Sequence, residues 1–206
     1  MPARELFDRH RATAEACRDH PFLAGIADGT LPPAAFVFYV GQDAVFLDAF
    51  ARAYALGVAK APDRSTMSTW KGLLDGALDE LRLHRTYAER WGAPLEPEPA
   101  PATAAYTDFL LRVAALEPLG NLAAAMTPCM RLYAWLGEQL APRTAADSPY
   151  REWVDTYAEP GFEALASTLE RELDRLGGDQ TVVGDHYRTA MRLELRFFDA
   201  AWRAGR

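Results

Sequence analysis

A chain of 206 residues with 22 basic against 29 acidic side chains, a net charge of −7 and half its residues hydrophobic holds enough apolar material for one sizeable core. The acidic balance, its arginines scattered among acids with no basic block, disfavours a nucleic-acid or anionic-membrane partner. Cys17 and Cys129 form no CxxC or zinc spacing, the first residues carry charges where a signal peptide needs an apolar run, and no stretch approaches the roughly 18 uninterrupted apolar residues of a membrane span; a reduced, cytoplasmic globular protein is expected.

Nearly every segment has helical period, and no alternating run is bounded by hairpin turns. A first helix is expected over residues 3–27, ended by Asp28-Gly29. Thr30 and Pro32-Pro33 then open a long helix through Lys60. Ala61-Pro62-Asp63 breaks it, and the pattern resumes over 64–91. The run from Pro94 to Pro101, proline at nearly every second position, reads as an extended surface connection within one domain spanning residues 1–206. Further helices are expected over 103–117, 119–141, 149–158, 160–177 and 180–204, with Ser148-Pro149 as an N-cap and first-turn pair and Gly177-Gly178 separating the last two. The predicted architecture is an all-α bundle.

Three of the apolar stripes hold a residue with chemistry. Cys129 recurs with Leu122, Met126, Tyr133, Leu136 and Leu140 at steps of three and four. Asp43 interrupts Phe36, Tyr39, Phe46 and Phe50, and Glu194 interrupts Tyr187, Met191, Phe198 and Trp202. Each has a bland reading. A buried thiol is usually inert packing, and inward tyrosines such as Tyr106, Tyr133 and Tyr157 are ordinarily core residues whose hydroxyl finds one partner. Asp43 could sit half exposed at the edge of its face. Glu194 is harder to dismiss, because burying an unpaired carboxylate costs several kcal/mol or forces it to take a proton. His10, His20, His84 and His186 read as surface or capping residues, with His84 forming an intrahelical pair with Glu80. No HxxxH or ExxH spacing, GxGxxG, P-loop or GxSxG elbow is present.

Taken together, these residues resemble the thiaminase II (TenA) family over nearly the whole chain. The resemblance runs through His20-Pro21-Phe22, Asp28-Gly29-Thr30-Leu31 and Phe38-Tyr39-Val40-Gly41-Gln42-Asp43, then Tyr106 and Pro128-Cys129 with Tyr133. It continues through Tyr150-Arg151-Glu152-Trp153 with Tyr157 and ends on Glu194-Leu195-Arg196-Phe197-Phe198. It implies a haem-oxygenase-like all-α fold without haem, commonly a homotetramer, and, in the cysteine-bearing branch, hydrolysis of aminomethylpyrimidine or thiamin to hydroxymethylpyrimidine in thiamin salvage. Carried over by position, Cys129 is implied as nucleophile and Glu194 as acid/base. Asp43 is implied as the carboxylate that holds the aminopyrimidine, Tyr106, Tyr133 and Tyr157 as pocket phenols, and Phe46 as a stacking ring. Met130-Arg131 departs from the aromatic residues often found after the cysteine. No metal or redox cofactor is implied.

Such chemistry explains the residue types. Thiolate attack on the ring carbon beside the branch, loss of the amine, addition of water to the exocyclic alkene and expulsion of the thiolate divide one difficult displacement into easier steps. Two rivals remain at this point: a non-catalytic or regulatory pyrimidine or thiamin binder, and a haem- or quinone-processing enzyme in which His10 or His20 ligates iron.

Overall fold

In a computed structural model describing residues 2–206, helix boundaries follow the residues at the helix ends. The first expected helix is divided into α1 (Ala3–Arg9), α2 (Arg11–Arg18) and α3 (Pro21–Asp28). Pro21 has no amide hydrogen to return to the turn before it, and His20 caps the restart, its Nδ1 accepting from the Phe22 amide at 3.2 Å. Gly29, at φ 71°, ends α3, and the amides of Thr30 and Leu31 close onto the Gly25 carbonyl at 2.8 and 3.0 Å. The break at His10 carries no proline or glycine, and the periodicity runs straight through it.

The two long helices fall where expected, as α4 (Pro33–Lys60) and α5 (Arg64–Trp91). Asp63 caps α5 by accepting from the Thr66 amide at 2.8 Å. The bundle is completed by α6 (Pro101–Leu116), α7 (Leu119–Leu140), α8 (Arg151–Ala158), α9 (Pro160–Leu176) and α10 (Gln180–Ala204); no strand occurs among the described residues. Ser148 does not cap α8 directly. Its Oγ accepts from the Tyr150 amide at 3.3 Å in the turn ahead of the helix. The proline-rich connection is extended but anchored: Gln42 donates to the Glu98 carbonyl at 3.0 Å and accepts from the Ala100 amide at 2.8 Å and the Thr103 hydroxyl at 2.6 Å.

α4 packs against α5, α6 and α10, and α7 against α8, α9 and α10, so the buried seam lies where these two groups meet. By length and composition α4 could cross a membrane, but most of its apolar stretch is buried inside the protein. Pro128 lies inside α7, one residue before Cys129, and leaves the carbonyl four residues back without its usual donor. α7 and α8 approach closely at Gly137, where an added Cβ would overlap the Tyr157 carbonyl and the Ala158 nitrogen. Backbone cannot yield as a flexible side chain does. Gly137→Ala should therefore cost about 3 kcal/mol, measured by denaturant unfolding; a loss under about 0.5 kcal/mol would mean that α8 rides free of α7.

Candidate active site

Five helices meet around one small, largely enclosed cavity with about 10 Å³ of free space. From α4, Asp43, Phe46, Leu47 and Phe50 face it at steps of three, one and three, all on one side of the helix. Glu80 comes from α5, Cys129, Met130 and Tyr133 from α7, Tyr157 from α8, and Phe162 from α9. Wider clefts open on the surface, such as the one along Arg9, His10 and Arg188. None brings a thiol and inward acids together.

Of the residues singled out in the sequence, Asp43, Phe46, Cys129, Tyr133 and Tyr157 line the cavity. Tyr106 and Glu194 stand behind the sulfur instead, joined by a hydrogen bond from Tyr106 Oη to Glu194 Oε1 at 2.7 Å. Phe46 packs against Tyr106 at a tilt, ring centroids 4.7 Å apart, which ties the cavity wall to that pair. Tyr133 accepts from the Tyr39 hydroxyl at 3.2 Å, and Trp153 Nε1 donates to Tyr39 in turn at 3.3 Å. Met130 faces the cavity, whereas Arg131 turns away to hold Glu163 and Glu170 at 2.7 Å each. The departure at Met130-Arg131 thus places only the methionine in the site.

Sequence reasoning missed Glu80 and His84. His84 is not a surface residue: it is 2 % exposed, and its Nε2 lies 3.0 Å from Asp43 Oδ2. Beyond that ion-pair contact, Asp43 Oδ2 and His84 Nδ1 are buried with no hydrogen-bond partner. Glu80 accepts from Tyr157 Oη at 2.9 Å. The residue keeps some accessible surface, yet its carboxyl is enclosed deeply enough for desolvation to dominate its ionisation. A signal was present: Leu73, Ala77, Glu80, His84 and Tyr87 recur at steps of four, three, four and three, the same stripe that exposed Asp43 and Glu194. The other histidines do behave as capping or surface-side residues. His20 caps α3 and lies 3.8 Å from Asp199, His10 stacks on Tyr187 at 5.7 Å, and His186 meets Glu117 at 2.5 Å.

The electrostatics follow from burial. Desolvation pushes the Cys129 thiol well above its usual range, and the nearby carboxyls of Glu194, Glu80 and Asp43 push it further. No lysine or arginine lines the cavity among the described residues, so the resting sulfur is a thiol. Burial lifts Glu194 to about 8; the Tyr106 hydrogen bond and contact with the Cys129 thiol oppose the shift, and Asp43 adds to it. Burial likewise lifts Glu80 to about 7. Burial disfavours the charged form of His84, but Asp43 and Glu80 outweigh it and hold the imidazole above the ordinary histidine value. The cavity is therefore an aromatic-walled chamber with the Asp43–His84 contact on one side. On the other side, a thiol adjoins a carboxyl whose proton is easily exchanged near neutrality.

Residues 7–204 match the TENA/THI-4/PQQC family. The chain is 38 % identical to an aminopyrimidine aminohydrolase of Halalkalibacterium halodurans over 212 residues, a match covering 97 % of this chain and 95 % of that protein. A solved structure described as a TenA family transcription regulator, from Silicibacter sp. TM1040, superposes with a TM-score of 0.87 at 28 % identity, covering 96 % of each chain. A Shewanella denitrificans domain of unknown function with a heme oxygenase-like fold superposes at 0.79 with 14 % identity, covering 98 % of this chain and 93 % of that one. The all-α bundle expected from the sequence has the haem-oxygenase-like fold.

Proposed function

The chain belongs to the TENA/THI-4/PQQC family, and on that footing we propose that it is an aminopyrimidine aminohydrolase of thiamin salvage. It takes 4-amino-5-aminomethyl-2-methylpyrimidine, and thiamin, to the 5-hydroxymethyl compound. The observation that carries this reading is an aromatic-walled cavity that holds Cys129 and an Asp43 carboxyl oxygen without a hydrogen-bond partner, with the Tyr106–Glu194 pair directly behind the sulfur. The same reading includes membership of the cysteine-bearing branch and a single-domain cytoplasmic homotetramer that acts on a small molecule without nucleic acid or membrane.

Each group then has a task. The Asp43 carboxyl meets the amino group and adjacent nitrogen of the ring, and His84 Nε2 lies behind it, 3.0 Å from Oδ2. Aromatic side chains from α4, α7 and α8 cover the ring faces and exclude bulk water. Glu194 takes the thiol proton as the sulfur bonds to the ring carbon beside the branch. The ring double bond shifts to the exocyclic methylene, and the carbon–nitrogen pair leaves on the protonated nitrogen as ammonia. Water then adds to the methylene and gives its proton to that ammonia. The double bond returns to the ring, the thiolate is expelled, and Glu194 returns the proton to sulfur.

Ammonia release from the aminomethylpyrimidine, compared side by side with thiamin cleavage, tests the reading; binding of both without turnover would make the protein a pyrimidine binder instead. Asp43→Ala should raise the Kd for hydroxymethylpyrimidine by about tenfold to about a hundredfold, as loss of a charge-assisted pair of hydrogen bonds requires. Unchanged affinity by calorimetry would move the ring elsewhere.

A further inference from the structure

With about 10 Å³ of free space the cavity has room for at most about one water molecule, so a pyrimidine enters only if a wall moves. Most of the lining is tied down. Asp43 is met by His84 at 3.0 Å, Tyr133 accepts from Tyr39 at 3.2 Å, and Tyr157 donates to Glu80 at 2.9 Å. Phe46 is packed among Phe50, Tyr106 and Phe197. Phe162 differs. Among the lining residues it and Glu80 alone keep accessible surface, the others being buried. Its one ring contact among the described residues is edge-on to Tyr157, with centroids 5.0 Å apart. It stands in the first turn of α9 directly after Pro160-Gly161, and a Cβ added at Gly161 would touch nothing.

The backbone under that ring is held in place. Arg131, the residue after Met130, donates to both carboxyl oxygens of Glu163, the residue after Phe162, at 2.7 and 2.9 Å. It also donates to Glu170 at 2.8 and 2.7 Å, so the start of α9 is tied to α7. Met130 and Phe162 both line the cavity, and each is followed by one member of the same ion pair. Leu165, one turn after Phe162, lies over Gly76, one turn before Glu80; an added Cβ there would come 2.8 Å from Leu165 Cδ1. That contact closes the gap between α5 and α9 on one flank. We infer that the pyrimidine enters between α5 and α9, past Glu80, and that the Phe162 ring is the door, swinging on a backbone that Arg131 holds and closing again over the bound ring. The inference rests on the pyrimidine reading of the cavity. A door of this kind slows entry and exit together, because the ligand passes it in both directions.

Phe162→Ala tests this with hydroxymethylpyrimidine as the probe. Binding is followed by stopped-flow tryptophan fluorescence, for which Trp153, packed on Tyr157 with centroids 4.8 Å apart, is a reporter. Association should speed up by at least about tenfold, and dissociation by at least as much. Faster dissociation with unchanged association would make Phe162 only a wall, and no change in either rate would take it off the route; each overturns the assignment. Phe162→Trp carries the test in the other direction, and stands alone if the alanine variant does not fold. Its larger ring should slow association by at least about tenfold. An association rate equal to wild type there overturns the door as well. Wild-type protein that binds neither hydroxymethylpyrimidine nor the aminomethyl compound overturns the pyrimidine reading itself. Wild-type binding with an association rate that neither Phe162 variant alters overturns only the route.

Discussion

Replacing Cys129 with serine should suppress ammonia release by more than about a thousandfold in kcat, while hydroxymethylpyrimidine binds within about threefold of its wild-type affinity. Cys129 supplies the one thiol lining the cavity among the described residues, and Asp43, proposed to hold the ring, lies on a different helix. Serine fills nearly the same space, but its hydroxyl is far less acidic and a weaker attacking group. The thiol is already held well above its ordinary range by burial and three carboxyls, so little room remains for a less acidic replacement. Calorimetry with the product and a single-turnover assay with the substrate separate the two effects. Near wild-type turnover by the serine variant would sink covalent catalysis and make Cys129 part of the packing of α7.

The second large effect belongs to Glu194. Glu194→Gln should keep the hydrogen bond from Tyr106 through its amide oxygen and keep ligand binding, yet lose about a hundredfold to about ten-thousandfold in kcat, because an amide cannot carry a proton from the sulfur and back. The pH dependence supplies an independent check. Glu194 rises from an ordinary 4.5 to about 8 in the folded protein, so across that interval the native state binds more protons than the unfolded chain. Stability from this group is complete below the lower value and is lost as pH climbs through the upper one. Wild-type melting temperature should therefore fall from pH 5 toward pH 9, and the glutamine variant should fall less steeply. Activity has the opposite slope, since only ionised Glu194 can accept the thiol proton, and its rise through about pH 8 should vanish in the variant. A variant with normal kcat and a much lower melting temperature would make Glu194 a structural partner of Tyr106.

How much of this was legible in the sequence depended on whether a residue announced itself within its own helix. Asp43, Cys129 and Glu194 each interrupt an apolar stripe, and the positions of α4, α5 and α7 could be read from Pro33, Asp63 and the run that follows Pro118. His84 and Glu80 obey the same periodicity, but a glutamate four residues ahead of a histidine is also the ordinary surface pair, and that reading hid them. Only the approach of α4 shows that His84 answers to Asp43 across helices. The division of the first helix was marked at Pro21 and unmarked at His10, where nothing local separates a bend from continued helix. That Glu194 stands behind the sulfur with Tyr106, rather than in the cavity, is set by how α6, α7 and α10 pack, which no single stripe records.

The proline-rich stretch between α5 and α6 would ordinarily be the place to nick, lengthen or permute a chain, since exposed connections tolerate such editing. Here Gln42, the residue before Asp43, holds the Glu98 carbonyl, the Ala100 amide and the Thr103 hydroxyl at once. Pro94 and Pro97 also pack where Gly41 lacks a side chain. The backbone that aims Asp43 is thus moored to the loop that looks most expendable. Insertions, tags or protease sites placed between Pro94 and Ala100 are transmitted to the Asp43 carboxyl, and the safer position for them is the turn between α7 and α8.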